Sequence, residues 1–176
     1  TIAHIAEQSG IQALTVHGRT RACRYKGEAE YDTIAKIVQQ SRIPVIANGD
    51  ITSAEKALSV LQYTDAAAIM IGRAAQGAPW IFSEINHFLA TGKKLAKPTI
   101  AEVSDIVNEH IRNLHSFYGE FLGVRIARKH MGWYLQHLPQ ISAAKKTFNQ
   151  LDQCSEQLNF IKLYFQSLNG NLRLAA

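Results

Sequence analysis

Three short apolar segments, each ending in glycine and polar residues, constrain the fold of this chain most strongly. They are Leu14–Thr20, Pro44–Ile51 and Ala68–Ala74. Apolar runs without alternation are typical of parallel strands that helices cover on both faces. The carboxyl ends of such strands meet at one edge of the sheet, where α/β folds place their chemistry. We therefore expect the three polar tips to lie close together.

Helical patterns separate these predicted strands. The strands are predicted at Ile11–His17, Ile43–Ala47 and Ala66–Ile71. Helices are predicted at 1–10, 31–40 and 79–91. A further helix is predicted to begin after a cap at Thr52 or Ser53 and to bury Ala57, Leu58 and Leu61. This alternation predicts a parallel sheet with right-handed crossovers. Because three strands would leave both sheet edges bare, residues 1–95 are interpreted as the last part of a (β/α)8 TIM barrel that begins upstream.

The strand pattern disappears after the basic segment Lys93–Pro98. Apolar residues then recur at spacings of three and four, which predicts helices. The first helix would bury the stripe Ile100, Val103, Val107, His110, Leu114 and Phe117 and would end at Gly119; further helices are predicted at 124–138, 143–151 and 157–168. We therefore predict an all-α helical-bundle domain at 96–170 and a frayed tail at 171–176.

The net charge is confined to this second half. Residues 1–92 contain eight Lys or Arg and eight Asp or Glu, whereas residues 93–176 contain eleven and six, so the +5 of the whole chain lies there. Such an asymmetry favours a surface that binds a polyanion. A solvated basic helix bundle would account for the charge equally well.

The third predicted strand ends in Gly72 and Arg73, followed by a turn that leads into a helix. Glycine admits a phosphate close to the backbone, and N–H groups at a helix start favour an anion. The segment Asn48–Asp50 repeats this design after the second strand. These features indicate a phosphorylated ligand; the alternative is two ordinary glycine turns with Arg73 and Asp50 facing solvent.

His17 ends the first predicted strand, where a lone histidine is more often structural than catalytic. Arg19 follows at a spacing of two and would point the same way in an extended chain. Together they could hold an anion or an electron-rich ring. The side-chain amide of Asn48 both donates and accepts hydrogen bonds, which suits the edge of a heterocycle or a ribityl hydroxyl.

Cys23 lies among basic residues, which lower the pKa of a thiol, although an incidental loop cysteine is the simpler interpretation. With Cys154 it makes two cysteines, too few for a disulfide framework, so a reducing cytoplasm is predicted. The chain has no Cys-x-x-Cys or His-Glu-x-x-His spacing, and we predict no metal site. No apolar run approaches the ~20 residues of a membrane span.

In the second half, Arg125, Arg128 and Lys129 are neighbours on one helix face, and Trp133 lies one turn beyond Lys129. Cations beside an aromatic ring suit an RNA backbone with a stacked base. A solvated face with a buried tryptophan is the alternative.

Read in order, these segments resemble the tRNA-dihydrouridine synthases. The matching motifs are His17–Arg21, Tyr25-x-Gly27-x-Ala29-x-Tyr31, Pro44–Ile51 and Met70–Phe82. The bacterial B-type subfamily is the most similar, because Arg125–His130 with Trp133–Tyr134 also resembles its tail.

The resemblance implies an FMN-containing barrel followed by a helical domain that binds tRNA. Such enzymes reduce the C5–C6 double bond of particular uridines with hydride from NADPH, delivered through FMN. The positions that match FMN-binding residues are Asn48, Gly49, Asp50, Gly72 and Arg73, with His17 as a flavin contact, Arg19 as a weaker candidate, and Arg125, Arg128 and Lys129 as tRNA-binding candidates.

The chain departs from the family in one respect. The catalytic cysteine and a flavin-contacting lysine of the family belong to an earlier barrel region, and Cys23 does not match that position. We therefore assign no catalytic residue in this chain and expect it to be inactive by itself. Two other functions stay open at this point: a phosphate-binding or flavin-dependent barrel enzyme acting on a small metabolite, and an RNA-binding module without activity.

Overall fold

The chain forms two compact units. The computed structural model describes residues 2–23, 26–138 and 141–174, with side chains to residue 168. One unit comprises residues 1–75 and 79–95, and the other comprises residues 76–78 and 96–176. In its described part, the chain is an α/β protein with seven α-helices and a small parallel sheet.

The first unit contains all three strands of the described chain. Its elements are α1 (Ile2–Gln8), β1 (Leu14–His17), α2 (Asp32–Gln40), β2 (Val45–Asn48), α3 (Ala54–Thr64), β3 (Ala68–Met70) and α4 (Ile81–Thr91), with short 3-10 helices at Arg21–Cys23 and Arg73–Ala75. The strands pair in parallel in the order β1-β2-β3. The predicted parallel sheet is therefore confirmed.

The register of the sheet brings the strand ends together. His17 lies opposite Asn48 in the β1–β2 pair, and Asn48 lies opposite Met70 in the β2–β3 pair. The first strand begins at Leu14 and is therefore shorter than the predicted Ile11–His17. Ile11, which was expected in this strand, is 45% exposed. The expected convergence of the strand tips at one edge is confirmed for these three residues.

Helix α3 shows how the helices cover the sheet. The Ser53 side chain accepts a hydrogen bond from the Lys56 backbone N–H at 3.1 Å, so Ser53 is the N-cap. The buried residues of α3 are Ala54, Ala57, Val60 and Thr64. The predicted burial of Leu58 and Leu61 is wrong in part, since both are only half-buried. Apolar spacing predicts a wide apolar stripe on a helix. In the structure, the most buried part of α3 is the face with Ala54, Ala57, Val60 and Thr64.

The second unit contains only helices within its described residues. They are α5 (Ile100–Leu135), α6 (Ile141–Gln150) and α7 (Cys154–Leu174). Thr99 begins α5 with a capping box, in which Thr99 and Glu102 bond each other's backbone N–H groups. At Gly119 the backbone leaves the helical conformation with φ 71° and ψ 178°, so α5 consists of two helical segments. The predicted end of the first helix at Gly119 is confirmed by this non-helical residue.

The buried stripe of α5 differs from the predicted one. Its first segment buries Val103, Val107, Ile111 and His115, at spacings of four. Phe117 was expected in the core and is 81% exposed. Both stripes satisfy helical periodicity, and the packing of α5 against α7 selects the face. The second segment buries Val124, Ala127, Met131, Tyr134, Leu135 and, just beyond its end, Leu138, as predicted.

Two features of the helices bear on earlier expectations. Helix α7 continues to Leu174, so residues 171–174 of the predicted frayed tail are helical. Pro139, which follows the helix predicted at 124–138, and residues 175–176 lie outside the described residues. Across the described chain, every helix is too short or too polar to span a lipid bilayer.

Candidate functional site

A cleft of about 590 Å³ opens at the carboxyl ends of β2 and β3. It is lined by Glu28, Ala29, Tyr31, Asn48, Gly49, Asp50, Ile51, Thr52, Lys56, Met70, Gly72, Arg73 and Ala74. The structure thus brings together five of the residues proposed from sequence to bind a cofactor: Asn48, Gly49, Asp50, Gly72 and Arg73. His17 and Arg19 are not among the lining residues.

Asn48 is held in place by the neighbouring strand. Its side-chain amide nitrogen donates to the Met70 carbonyl at 2.7 Å. The Nδ1 atom of His17 lies 3.2 Å from the Asn48 carbonyl oxygen, and the His17 side chain is exposed. The parallel register therefore anchors both polar strand ends through main-chain carbonyls of the sheet.

Gly49 occupies a position that a side chain would not fit. Its φ is +136°, and a Cβ atom there would lie 2.7 Å from the Cβ of Ala29. The Tyr31 hydroxyl donates to the Gly49 carbonyl at 2.6 Å. The loop after β1 and the loop after β2 consequently pack directly on each other at this glycine.

Asp50 connects three parts of the site. Its carboxylate accepts hydrogen bonds from the Arg19 guanidinium at 2.7 and 2.5 Å, from the Ala29 backbone N–H at 2.9 Å and from Arg73 at 3.0 Å. The Arg19 guanidinium is the largest cause that lowers the pKa of Asp50 below its usual value, so the carboxylate is ionised at neutral pH. The interpretation of Asp50 as a solvent-facing turn residue is wrong.

Arg19 is directed at Asp50. Its side chain is 5% exposed, and its guanidinium also donates to the Gly27 carbonyl at 2.5 Å. The expectation that Arg19 faces the same ligand as His17 assumed a continuing strand. In the structure β1 ends at His17, so strand alternation does not extend to residue 19.

Gly72 and Arg73 line the cleft at the end of β3. A Cβ atom on Gly72 would have no neighbouring protein atom within 4 Å, so bare backbone borders the open space. Arg73 follows in a short 3-10 helix, and its side chain is 57% exposed. This part of the cleft offers a cation beside accessible main chain, an arrangement that suits a phosphate.

The structure adds lining residues that were not proposed as site residues from the sequence. The Lys56 ammonium lies 4.9 Å from the centre of the Tyr31 ring, and both residues line the cleft. Lys56 belongs to the first turn of α3, directly after the β2 loop. A lysine three residues after a helix cap and close behind a strand tip is the sequence signal that could have identified it.

The three predicted tRNA-binding cations differ in their surroundings. The exposed Arg125 guanidinium lies 4.0 Å from the centre of the Phe121 ring, and the exposed Lys129 ammonium lies 5.0 Å from the centre of the Trp133 ring. Arg128 is 28% exposed and donates to the Leu151 carbonyl at 3.1 Å and to Asp152 at 2.6 Å. Arg128 therefore joins α5 to the turn between α6 and α7.

Comparison with known proteins gives the family of the chain. A model of the dihydrouridine synthase (Dus) family matches residues 1–169. The chain belongs to the dihydrouridine synthase family. Its relatives include tRNA-dihydrouridine synthase B of Vibrio cholerae, 56% identical over 168 residues, and that of Pectobacterium carotovorum, 56% identical over 167 residues.

These relatives support the B-type subfamily. The matched regions cover 96% and 95% of this chain and 52% of each relative. The synthase B of Salmonella typhimurium, 55% identical over 166 residues, is covered to the same 52%. The chain therefore spans about half the length of the curated relatives it matches.

Cys23 of this Dus chain is half-buried and is not a lining residue of the cleft. Its sulfur lies 3.2 Å from the Thr20 hydroxyl, and this hydrogen bond is the largest cause that lowers the pKa of the thiol. Arg19 contributes less, so the effect expected from nearby cations is secondary. Across the described residues, no group of three or more His, Cys, Asp or Glu side chains is placed to hold a metal ion.

Proposed function

We propose that the complete product of the gene that encodes this chain is an FMN-dependent tRNA-dihydrouridine synthase. It would reduce the C5–C6 double bond of a specific uridine in tRNA with NADPH as the hydride source, in the cytoplasm. The observation that carries the proposal is the cleft lined by Asn48, Gly49, Asp50, Gly72 and Arg73 in a chain of the Dus family.

The residues of the cleft fit FMN. The open space beside Gly72 admits a phosphate against the backbone, and the cations Arg73 and Lys56 both line the cleft. Asn48 offers a side-chain amide for the ribityl chain or the ring edge, and His17 ends the adjacent strand. Asp50 lies between Arg19 and Arg73, so its carboxylate holds cations and does not meet the phosphate itself.

The residues of this chain would bind and orient the cofactor. Bound FMN would supply the hydride for uracil reduction. The Gly49–Tyr31 hydrogen bond and the Gly49–Ala29 packing hold the loop after β2 against the loop after β1. The resemblance assigns the protonation of the uracil to a cysteine whose position Cys23 does not match, so we assign no catalytic residue here.

We further propose that residues 1–95 form part of a (β/α)8 barrel and that residues 96–170 form a helical tRNA-binding domain. The alternation of α2, α3 and α4 with parallel strands supports the first assignment. The exposed Arg125 and Lys129 support the second, because both combine a cation with an aromatic ring. A base inside folded tRNA must be turned out for chemistry, and such a surface would hold the RNA meanwhile.

The proposal is tested on the complete product of the gene that encodes this chain. The purified protein should show a flavin absorbance band, release FMN on denaturation, and increase the dihydrouridine content of unmodified tRNA when NADPH is supplied. A protein that carries no flavin and leaves tRNA uridine unchanged would sink the proposal. Flavin with a small-molecule substrate but no action on tRNA would favour the metabolite enzyme.

The tRNA surface is tested by substituting its cations one at a time. Arg125→Gln and Lys129→Gln should each weaken tRNA binding and reduce the slope of log affinity against log salt by about one. Arg128→Gln should change the slope less, because Asp152 already pairs with Arg128. Arg42→Gln, at an exposed site in the first unit, is the matched control. Equal salt slopes for all four variants would contradict the assignment.

A further inference from the structure

The second segment of α5 contains a glycine that a lysine of α6 covers. A Cβ atom on Gly132 would lie 3.6 Å from the Cε of Lys145 and 3.9 Å from its Nζ. Gly132 is buried, whereas Lys145 is exposed. The buried residues of α6 are Ala144 and Phe148, and α6 packs against α5. The side chain of Lys145 therefore lies where a side chain of α5 would otherwise project.

This position continues a row of cations on α5. Residues 125, 129 and 132 follow one another at spacings of four and three, which places them on one face of the helix. The first two are Arg125 and Lys129, both exposed. With Lys145 above Gly132, three cations extend over roughly 10 Å along the helix axis. These three residues, Arg125, Lys129 and Lys145, are called the cation row below.

The composition around the cation row favours an anion. Residues 121–150 contain five Lys or Arg and no Asp or Glu. Arg128 is not counted in the row, because it pairs with Asp152 at 2.6 Å. Cations repeated along a helix suit a polymer of phosphates, since each cation can neutralise one phosphate of the strand. The aromatic rings beside Arg125 and Lys129 favour RNA among such polymers, because bases stack on rings.

We infer that Lys145 contacts an RNA phosphate and extends the tRNA-binding surface of α5 onto α6. It supplies a cation at the point where α5 itself has only a glycine. This inference rests on the proposed function, because the RNA in question is the tRNA substrate. It adds a residue from a second helix to the surface formed by Arg125 and Lys129.

The other role open to Lys145 is packing alone. The aliphatic stem of a lysine can cover the surface of a neighbouring helix while its ammonium stays in water. A packing role depends on the stem, whereas a phosphate contact depends on the charge. Lys145→Met separates the two roles, because methionine keeps an unbranched stem without the charge.

The test measures tRNA binding by the complete gene product at several salt concentrations. The probe is unmodified tRNA transcribed in vitro, and filter binding gives the affinity from about 50 to 200 mM salt. Lys145→Met should weaken binding about fivefold and reduce the slope of log affinity against log salt by about one. Lys146→Met, at the next exposed lysine of α6, is the matched control and should change the slope less than half as much. An unchanged slope for Lys145→Met, or equal changes for both lysines, would overturn the inference.

Moving the charge from α6 to α5 tests the position itself. Lys145→Ala removes the side chain above Gly132 and should reduce the slope as Lys145→Met does. Adding Gly132→Lys returns a cation to the same place from α5, so the double variant should recover most of the slope. Lysine is a better helix former than glycine, so this change does not disfavour α5. A folded double variant whose slope stays reduced would overturn the inference.

Thermal unfolding shows that each variant is folded before its binding is compared. Failure of the wild-type protein to bind tRNA would remove the proposed function, and the inference with it. Wild-type binding that Lys145→Met leaves intact would remove the inference alone, since Lys145 would then only pack on α5.

Discussion

The two units of this chain use polar groups in opposite ways. In the first unit, the polar side chains Arg19, Asn48 and Asp50 gather at one edge of the sheet, where their hydrogen bonds join successive loops. In the second, the cations Arg125 and Lys129 are spread on the outside of a helix. Parallel strands therefore bring polar side chains together at one edge of the sheet, whereas an amphipathic helix distributes them along its exposed face.

The second unit nevertheless contains a buried polar bridge. The Nε2 atom of His115 lies 2.9 Å from the Gln157 side-chain oxygen, and the Gln157 amide nitrogen donates to the Val124 carbonyl at 3.2 Å. Gln157 is fully buried. This bridge joins both segments of α5 to α7 inside an apolar core, so it aligns the helices but is not placed to meet a ligand.

The largest expected effect tests whether the stability of the helical unit can be lowered without changing FMN affinity. Phe148 is fully buried and meets Phe160 edge-on at 5.6 Å between ring centres. Phe148→Ala should lower the free energy of unfolding of the helical unit by about 3–5 kcal/mol, because it removes an aromatic ring from a packed core. Denaturant unfolding measures the loss, and Phe148→Leu should lose less. Reduced FMN affinity in the folded protein would contradict the assignment of FMN binding to the first unit.

A substitution in the first unit should combine a stability loss with a loss of binding. Gly49→Ala forces a Cβ to within 2.7 Å of Ala29 at φ +136°. We expect about 2–3 kcal/mol of destabilisation, because the contact and the backbone strain act together. FMN affinity should fall in parallel, unlike in the Phe148 variants. Gly10→Ala, with φ +86° and open space around it, is the control for backbone strain alone.

A third substitution tests the bend in α5. Gly119 has φ 71° and ψ 178°, and a Cβ there would meet nothing within 4 Å. Gly119→Ala should therefore cost about 1–2 kcal/mol from backbone strain alone. Thermal unfolding gives the magnitude. A neutral or stabilising result would mean that the two segments of α5 join into one continuous helix at low cost.

The smallest expected effect is a pH dependence confined to the helical unit. Burial lowers the pKa of His110 and of His130, and His110 and Lys129 lower that of His130 further. Because the unfolded chain then binds more protons below its histidine pKa of about 6.5, stability should fall as the pH drops from 8 to 6.

Tryptophan fluorescence can follow this unit separately. A Trp80→Phe background leaves Trp133 as the reporter within these 176 residues, which contain two tryptophans. Denaturant midpoints are then compared at pH 8 and pH 6, and His130→Gln should reduce the difference. Midpoints that stay constant or rise on acidification would contradict the assignment of buried neutral histidines.

Local sequence signals predicted where several helices begin and end. Ser53 begins α3 as one of the two expected caps, and Gly119 bends α5 where glycine interrupts the apolar pattern. These signals succeed because they act within one helical turn. The failures lie in burial: Phe117 belongs to an apolar stripe by spacing and is exposed, since the choice between adjacent stripes depends on the partner helix.

The sequence by itself determined the strand–helix alternation and the polar residues that follow the strands. Hydrophobic periodicity and glycine are properties of neighbouring residues, and they require no knowledge of distant contacts. Only the tertiary structure decided that Arg19 turns to Asp50 and that Arg128 pairs with Asp152. Each pair joins residues more than twenty positions apart, and the partner of a charged side chain depends on which loops the fold brings together.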